Sequence, residues 1–166
     1  SGLRWIRLGA VTLELTELDL NTAVELGSEL QLHLRQVRFV NVGRSRPALP
    51  ALSPALAIGG LCDNLLRQMP RIEGLKASLL ELSAVELLAT RLGTDLCPDI
   101  RSLDISESRV SEDGLRLVMA ALQARRRLQA LKLRYCHIGE DGAAALTSAH
   151  TCLTSLDLGF SQIGDD

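Results

Sequence analysis

The sequence predicts an α/β fold, a solenoid in which short strand and helix units alternate along the chain of 166 residues. Three observations predict it. One spacing of apolar residues recurs from unit to unit. The segments between these apolar strands have the longer apolar period of helices. Apolar residues make up 46% of the chain and aromatic residues only 2%, which is typical of an aliphatic core built from repeated leucines.

The clearest unit runs from Leu128 to Ile138. Its first, fourth, sixth and eleventh residues are apolar, and its ninth residue is Cys136. The same spacing occurs twice earlier and once later in the chain, and two weaker copies precede them. The sequence therefore predicts about six repeats, with starts near residues 3, 34, 72, 100, 128 and 153.

The spacing has a direct physical explanation. Residues three to seven of each unit form a strand, in which side chains alternate between the two faces. The fourth and sixth residues point into the core, and the third, fifth and seventh point outward. One unit cannot bury its own apolar row, so stacked units share a core. We expect a parallel sheet on a concave face and helices on a convex face.

The helices of the first half follow from local signals. Apolar spacing predicts a helix over residues 22–32, and a proline-containing loop follows the second strand. Proline at the first position starts a helix at Ser53-Pro54, which we expect to end at Met69. Ser83 and Glu86 have the spacing of a capping box, which predicts a helix from there to about Arg91.

The helices of the second half are clearer. Ser111 precedes a helix that ends in a run of three arginines, residues 125–127, where cations favour the helix C-terminus. Its core-facing residues are expected to be Leu115, Val118, Met119 and Leu122. Another helix is predicted over residues 141–149.

The unit from Leu128 resembles the motif of leucine-rich repeat proteins, L-x-x-L-x-L-x-x-(N/C)-x-L. The spacing of about 28 residues is similar to that of the ribonuclease-inhibitor-like class. The segment from Ile138 to Leu146 also matches its I-x-x-x-G-x-x-x-L passage. This resemblance implies a horseshoe that binds a partner protein on its concave face and the adjoining loops.

Composition limits the function classes. A net charge of −2 and a pI of about 5.9 give no reason to expect nucleic acid or an anionic membrane surface as a partner. The chain contains no run of about 20 apolar residues, so no transmembrane helix is predicted.

The four cysteines form no C-x-x-C pair, so we expect free thiols in a reducing, cytoplasmic compartment. A zinc site of Cys136, His137 and Cys152 is a remote alternative, since its spacing matches no zinc pattern. No cofactor is expected.

Two outward columns of the repeat frame stand out. The fifth column is basic at the start of the chain, and the eighth carries adjacent aromatic residues, Tyr135 and Phe160. The predicted partner-binding residues are Tyr135, Phe160, Lys132, Arg134, Glu107, Asp157, Arg7, Arg38 and Lys76. The alternatives are that the two rings cover the edge of the core and that the basic column is a solvated face.

No catalytic motif is present, so the chain is predicted not to be an enzyme. The leading hypothesis is a protein–protein interaction module. One alternative is a structural subunit of a large assembly, for example cytoskeletal or ciliary; another is a regulator of a partner enzyme.

The solenoid has no obvious polar cap at either end. We therefore expect residues 1–166 to be a single domain from a longer array, whose ends contact further repeats or neighbouring subunits.

Overall fold

A computed structural model describes residues 6–8, 12–15, 37–42, 58–69, 71–94, 96–125, 127–148 and 152–163. In these segments the strands form one sheet, and helices connect them, so the fold is of the α/β class. No helix in the described segments is long and apolar enough to span a bilayer. The helix predicted over residues 22–32 and the proline-containing loop lie outside the described residues.

The described strands form a seven-stranded sheet in chain order. The first two, β1 (Ile6–Leu8) and β2 (Thr12–Leu15), are antiparallel. From β2 onward each neighbouring pair is parallel. The later strands are β3 (Phe39–Val42), β4 (Gly74–Ala77), β5 (Ser102–Asp104), β6 (Ala130–Lys132) and β7 (Ser155–Asp157). Parallel neighbours require long crossover connections, and in the second half these connections contain α-helices.

These helices are α1 (Leu82–Leu92), α2 (Glu112–Arg125) and α3 (Gly139–Ser148). They pack in sequence, α1 against α2 and α2 against α3. The connection before β4 is helical in a less regular way. A single α-helical turn at residues 58–60 leads into a π-helical turn, Leu61–Leu65, and a 3₁₀ turn, Leu66–Gln68.

The helix starts show one side-chain cap and one wrong prediction. Ser111 caps α2, since its hydroxyl accepts a hydrogen bond from the amide of Gly114 at 2.9 Å. The capping box predicted at Ser83 is wrong. Helix α1 already begins at Leu82, and its N-cap residue, Glu81, makes no side-chain capping bond. Ser83 therefore lies inside the first turn.

The core lies between the strands and the helices. The fourth residues of three repeats, Leu75, Leu103 and Leu131, are buried and belong to the same apolar cluster as Val85 and Val118 of the helices. The predicted core-facing residues Leu115, Val118 and Met119 of α2 are all buried. The side chain of Leu122 lies outside the described set.

Strand pairing tests the repeat frame directly. The third residues of the repeats that start at 72, 100, 128 and 153 pair with one another in order: Gly74, Ser102, Ala130 and Ser155. The strands thus lie where the frame places them over the second half of the chain.

The frames of the first two repeats are wrong. Phe39 pairs with Gly74, so the unit assigned to a start at 34 begins at Val37 instead. Thr12 pairs with Phe39, so the strand equivalent to β4 is β2, not the strand near Leu3. The physical reason is ambiguity. In the second repeat two overlapping sets of apolar residues, which start at Leu34 and Val37, satisfy the first, fourth and sixth positions. In the first repeat two successive sets, which start at Leu3 and Ala10, do so.

Candidate functional site

Each described repeat displays one residue in a left-handed backbone conformation just after its strand. These are the eighth residues of their repeats, called the ridge here: Leu79 (φ 60°), Glu107 (φ 61°), Tyr135 (φ 55°) and Phe160 (φ 60°). This conformation costs residues other than glycine about 1–2 kcal/mol. It turns the chain sharply and leaves all four side chains exposed.

Hydrogen bonds between repeats hold the ridge in this conformation. The amide of a ridge residue donates to the carbonyl of the seventh residue in the next repeat. The pairs are Leu79 to Ser106 (3.4 Å), Glu107 to Arg134 (2.7 Å) and Tyr135 to Gly159 (3.0 Å). Backbone hydrogen bonds between neighbouring repeats therefore continue from the strands into the turns, so the stacking of the repeats fixes the backbone of the ridge.

The ninth residues form a polar ladder beneath the ridge. The hydroxyl of Ser108 accepts a hydrogen bond from the amide of Leu80 in the preceding repeat at 3.0 Å. The hydroxyl of Ser161 accepts from the amide of Cys136 at 3.4 Å and donates to the carbonyl of Leu133. Small polar side chains at this position therefore bond backbone groups of the neighbouring repeat, as the motif predicts.

Two carboxylates at the strand ends accept hydrogen bonds from the turns that follow. An oxygen of Asp104 accepts hydrogen bonds from the amide and the hydroxyl of Ser106, at 3.1 and 2.6 Å. In the last described repeat an oxygen of Asp157 accepts from the amide of Gly159 at 3.1 Å. Both carboxylates are half-buried, so their positions are fixed by the turn that follows the strand.

The last two ridge residues form an aromatic stack. The ring centroids of Tyr135 and Phe160 are 4.9 Å apart and their planes differ by 3°. Their residues remain 53% and 71% exposed. Adjacent strands lie about 4.8 Å apart, so the ring separation follows from the strand spacing. The rings contact each other and still expose a large apolar surface to solvent.

Arg134 lies beside both rings. Its guanidinium carbon is 5.8 Å from each ring centroid, which is within the range of a cation–π contact. Its Nη1 lies 3.8 Å from Oδ2 of Asp157. Its buried Nε has no hydrogen-bond acceptor among the described residues. An aromatic pair, a cation and a fixed carboxylate thus share one corner of the molecule.

A sequence model of the Leucine Rich repeat family matches residues 126–146 and 149–166. The two matched segments contain β6, β7 and both stacked rings. In these two segments the chain is similar to leucine-rich repeats. Such repeats generally mediate protein–protein interaction, and the aromatic stack lies on the part of the repeat that faces outward.

The face of β4–β7 opposite the buried leucines is called the open face here. Among the predicted site residues, Lys76 and Lys132 are exposed on it as fifth residues of their repeats. Neither lysine makes an ion pair with a described residue. Asp157 holds the equivalent position in β7, and Glu107 lies exposed on the ridge beside Tyr135.

The basic column predicted for the first three repeats is wrong. Arg38 is the second residue of its repeat and makes an ion pair with Glu73, with Nη1 and Oε1 3.3 Å apart. Arg7 lies in β1, which is antiparallel to β2, and pairs there with Glu14. The fifth positions of these two repeats belong to Glu14 and Asn41, so Lys76 is the first basic residue of the column.

Phe39 was missed because its frame was wrong. It was assigned to an inward position, but strand pairing places it in the third column, on the open face, where it is 44% exposed. Its ring covers Gly74, since a Cβ built there would lie 2.8 Å from a carbon of that ring. The alternative spacing Val37-x-x-Val40-x-Val42 was the signal that could have identified it.

The zinc alternative lacks structural support. Cys136 is buried, and its thiol donates to the carbonyls of Ile105 and Arg134, each at 3.6 Å. His137 next to it is exposed and contacts the side chain of Gln162. No group of three metal-ligating residues occurs among the described residues.

The thiols differ in exposure. Burial raises the pKa of Cys62 to about 12 and also raises the pKa of Cys136. Cys152 is exposed. The two buried thiols with raised pKa values are protonated at neutral pH and are therefore poor nucleophiles.

The outer side of β7 exposes core positions. Leu156 is 45% exposed, although its equivalents Leu103 and Leu131 are fully buried. Leu153, Leu158 and Ile163 are only partly buried against the core. None of the described strands follows β7, which leaves this side of its repeat uncovered.

Proposed function

We propose that the chain is a non-catalytic protein-binding module that uses the open face and the ridge. The observation that carries this proposal is the Tyr135–Phe160 stack, two parallel rings that stay more than half exposed. Aromatic and arginine residues are the side chains most enriched in the energetic centres of protein interfaces. Arg134 lies against both rings.

The stack is also preorganised. The turn that displays Tyr135 is held by its amide bond to Gly159, and ring stacking restricts both side chains. A partner that packs on these rings therefore loses little additional side-chain entropy in the module. Lys132 and Glu107 provide charges of both signs on either side of the stack, suited to a polar rim.

A pull-down from source-cell extract tests this proposal. The wild type is compared with the double substitution Tyr135→Ala/Phe160→Ala and with a matched control, Leu82→Ala/Leu117→Ala. The control removes two apolar side chains of α1 and α2 that are also exposed, 41% and 43%. Circular dichroism verifies that all three proteins fold.

The expected result is loss of a protein partner with the aromatic double substitution and its retention with the control. If every partner persists at the same level without both rings, the stack is structural and the proposal is wrong. If both double substitutions lose the same partners, binding depends on apolar exposure in general and not on this surface.

Two finer assignments are part of the proposal. The ribonuclease-inhibitor-like class is supported by the spacing of 28 residues between the starts at Ile72, Ile100 and Leu128, and by the full helices α1–α3. In that class the open face lines the concave side of a horseshoe. A reducing, cytoplasmic location is supported by the buried free thiols of Cys62 and Cys136.

A further inference from the structure

The fifth residues of the four in-frame repeats alternate in charge across the open face. They are Lys76 on β4, Asp104 on β5, Lys132 on β6 and Asp157 on β7, and strand pairing places them side by side. Each is separated from the next by about 4.8 Å, the distance between neighbouring strands. The result is a row of charges, plus, minus, plus, minus.

This row is self-complementary under one kind of two-fold symmetry. An axis that runs parallel to the strands, between two facing sheets, reverses the order of the strands and preserves their direction. Lys76 of one copy then faces Asp157 of the other, and Asp104 faces Lys132. Each contact occurs twice because the interface is symmetric. An axis perpendicular to the strands would instead bring like charges together.

The third column is compatible with the same arrangement. Its residues in the four in-frame repeats are small: Gly74, Ser102, Ala130 and Ser155. The ring of Phe39 on β3 covers the first of them. Packed sheets lie about 10 Å apart. Small side chains in this column leave room for the longer lysine and aspartate side chains to meet across that distance.

The ridge also becomes complementary to itself. The same axis places Leu79 of one copy opposite Phe160 of the other, so that two exposed apolar side chains meet. Glu107 then lies opposite Tyr135, whose phenol can donate a hydrogen bond to the carboxylate. All four of these residues are exposed in the single chain.

We propose that the open face binds a second copy of this chain in a parallel-strand, two-fold symmetric dimer. This inference rests on the proposed function, because it names the partner of the same surface. The charges of the lysines and aspartates support it. Lys76 and Lys132 have no ionic partner among the described residues, whereas the two aspartates are positioned by their turns.

Sedimentation equilibrium of the purified chain over a wide concentration range tests the proposal. The wild type is expected to dimerise, and Lys132→Asp is expected to weaken the dimer about tenfold or more, since it creates two like-charge contacts. Asp104→Lys alone has the same effect. An equimolar mixture of these two variants is expected to form a heterodimer, because every facing pair is then of opposite charge.

Two further variants keep the test decisive. Asp104→Lys removes bonds to Ser106. Lys76→Asp instead replaces an exposed residue that has no ion-pair partner among the described residues, and it is also expected to weaken the dimer. Arg116→Glu is the matched control, a charge reversal on α2 away from the open face that leaves the dimer unchanged.

The outcomes separate this inference from the proposed function. A wild type that stays monomeric at all concentrations overturns the dimer. So does a dimer that Lys132→Asp and Lys76→Asp leave intact, or a mixture of variants that fails to associate. If the chain is monomeric but loses a different protein partner when Tyr135 and Phe160 are replaced, the dimer is refuted and the binding module stands.

Discussion

Replacing Leu131 with alanine tests the stacking of the repeats most directly. Leu131 is fully buried in β6, where it pairs with Leu103 on one side and Leu156 on the other. Leu→Ala substitutions at buried sites cost about 2–5 kcal/mol, which combines lost burial with the cavity left behind. We expect about 3 kcal/mol here, because the half-exposed neighbour Leu156 can shift toward the space and reduce the cavity.

Leu156→Ala is the matched control. It removes the same atoms from the same column of the repeat, but the residue is 45% exposed. Full burial of a leucine contributes about 1.5–3 kcal/mol, so the loss of roughly half that burial is expected to cost about 1 kcal/mol. No closed cavity adds to this cost.

Urea denaturation followed by circular dichroism measures both free energies of unfolding, provided that the slopes with urea agree between variants. A cost of less than about 1 kcal/mol for Leu131→Ala would refute the frame, since the residue would not be an inward one. Equal costs for the two substitutions would refute the difference in burial between the inner strand β6 and the last strand β7.

Two other predictions concern buried polar groups. Because burial raises the pKa of Cys62 from 9.0 to about 12, the folded state binds more protons than the unfolded state between these values. Stability is therefore expected to fall as pH rises above 9, by up to about 1.4 kcal/mol per pH unit, and urea denaturation of Cys62→Ala should lack this part of the slope. Ser108→Ala leaves the amide of Leu80 without its acceptor and is expected to cost about 1–3 kcal/mol in the same assay. Ser83→Ala, on the exposed side of α1, should change stability by less than about 0.5 kcal/mol, and a similar loss at both serines would contradict the role of the ladder.

The strands from β4 onward could be predicted because the spacing of long aliphatic residues there favours one frame. Leu128, Leu131 and Leu133 satisfy the first, fourth and sixth positions, whereas a competing set such as Ala130, Leu133 and Tyr135 places a small and an aromatic residue there. Around Val37 and Val40 the apolar residues are denser, so two frames three residues apart fit equally well. Apolar spacing alone cannot choose between them, and the choice depends on pairing with β4, which is a tertiary contact.

The predicted binding residues were likewise placed correctly only where the repeat frame was correct. Tyr135 and Phe160 were placed together correctly because both belong to in-frame repeats, and the strand spacing then determines their separation. The predicted positions of Arg7 and Arg38 were wrong because the frames of their repeats were wrong. The interaction of Arg134 with both rings depends on a side-chain rotamer, and no spacing rule predicts it.

The identity of the ridge residues argues that the ridge serves binding more than stability. Its left-handed conformation is least costly for glycine and then for asparagine or aspartate. The four positions instead hold Leu79, Glu107, Tyr135 and Phe160, none of them suited to that conformation. Stacking of the two rings contributes only about 0.5–1.5 kcal/mol to the stability of the fold, which is no more than the cost of the backbone strain at the two positions. An exposed aromatic pair that gains so little stability for the single chain therefore supports the proposal that the ridge binds a partner.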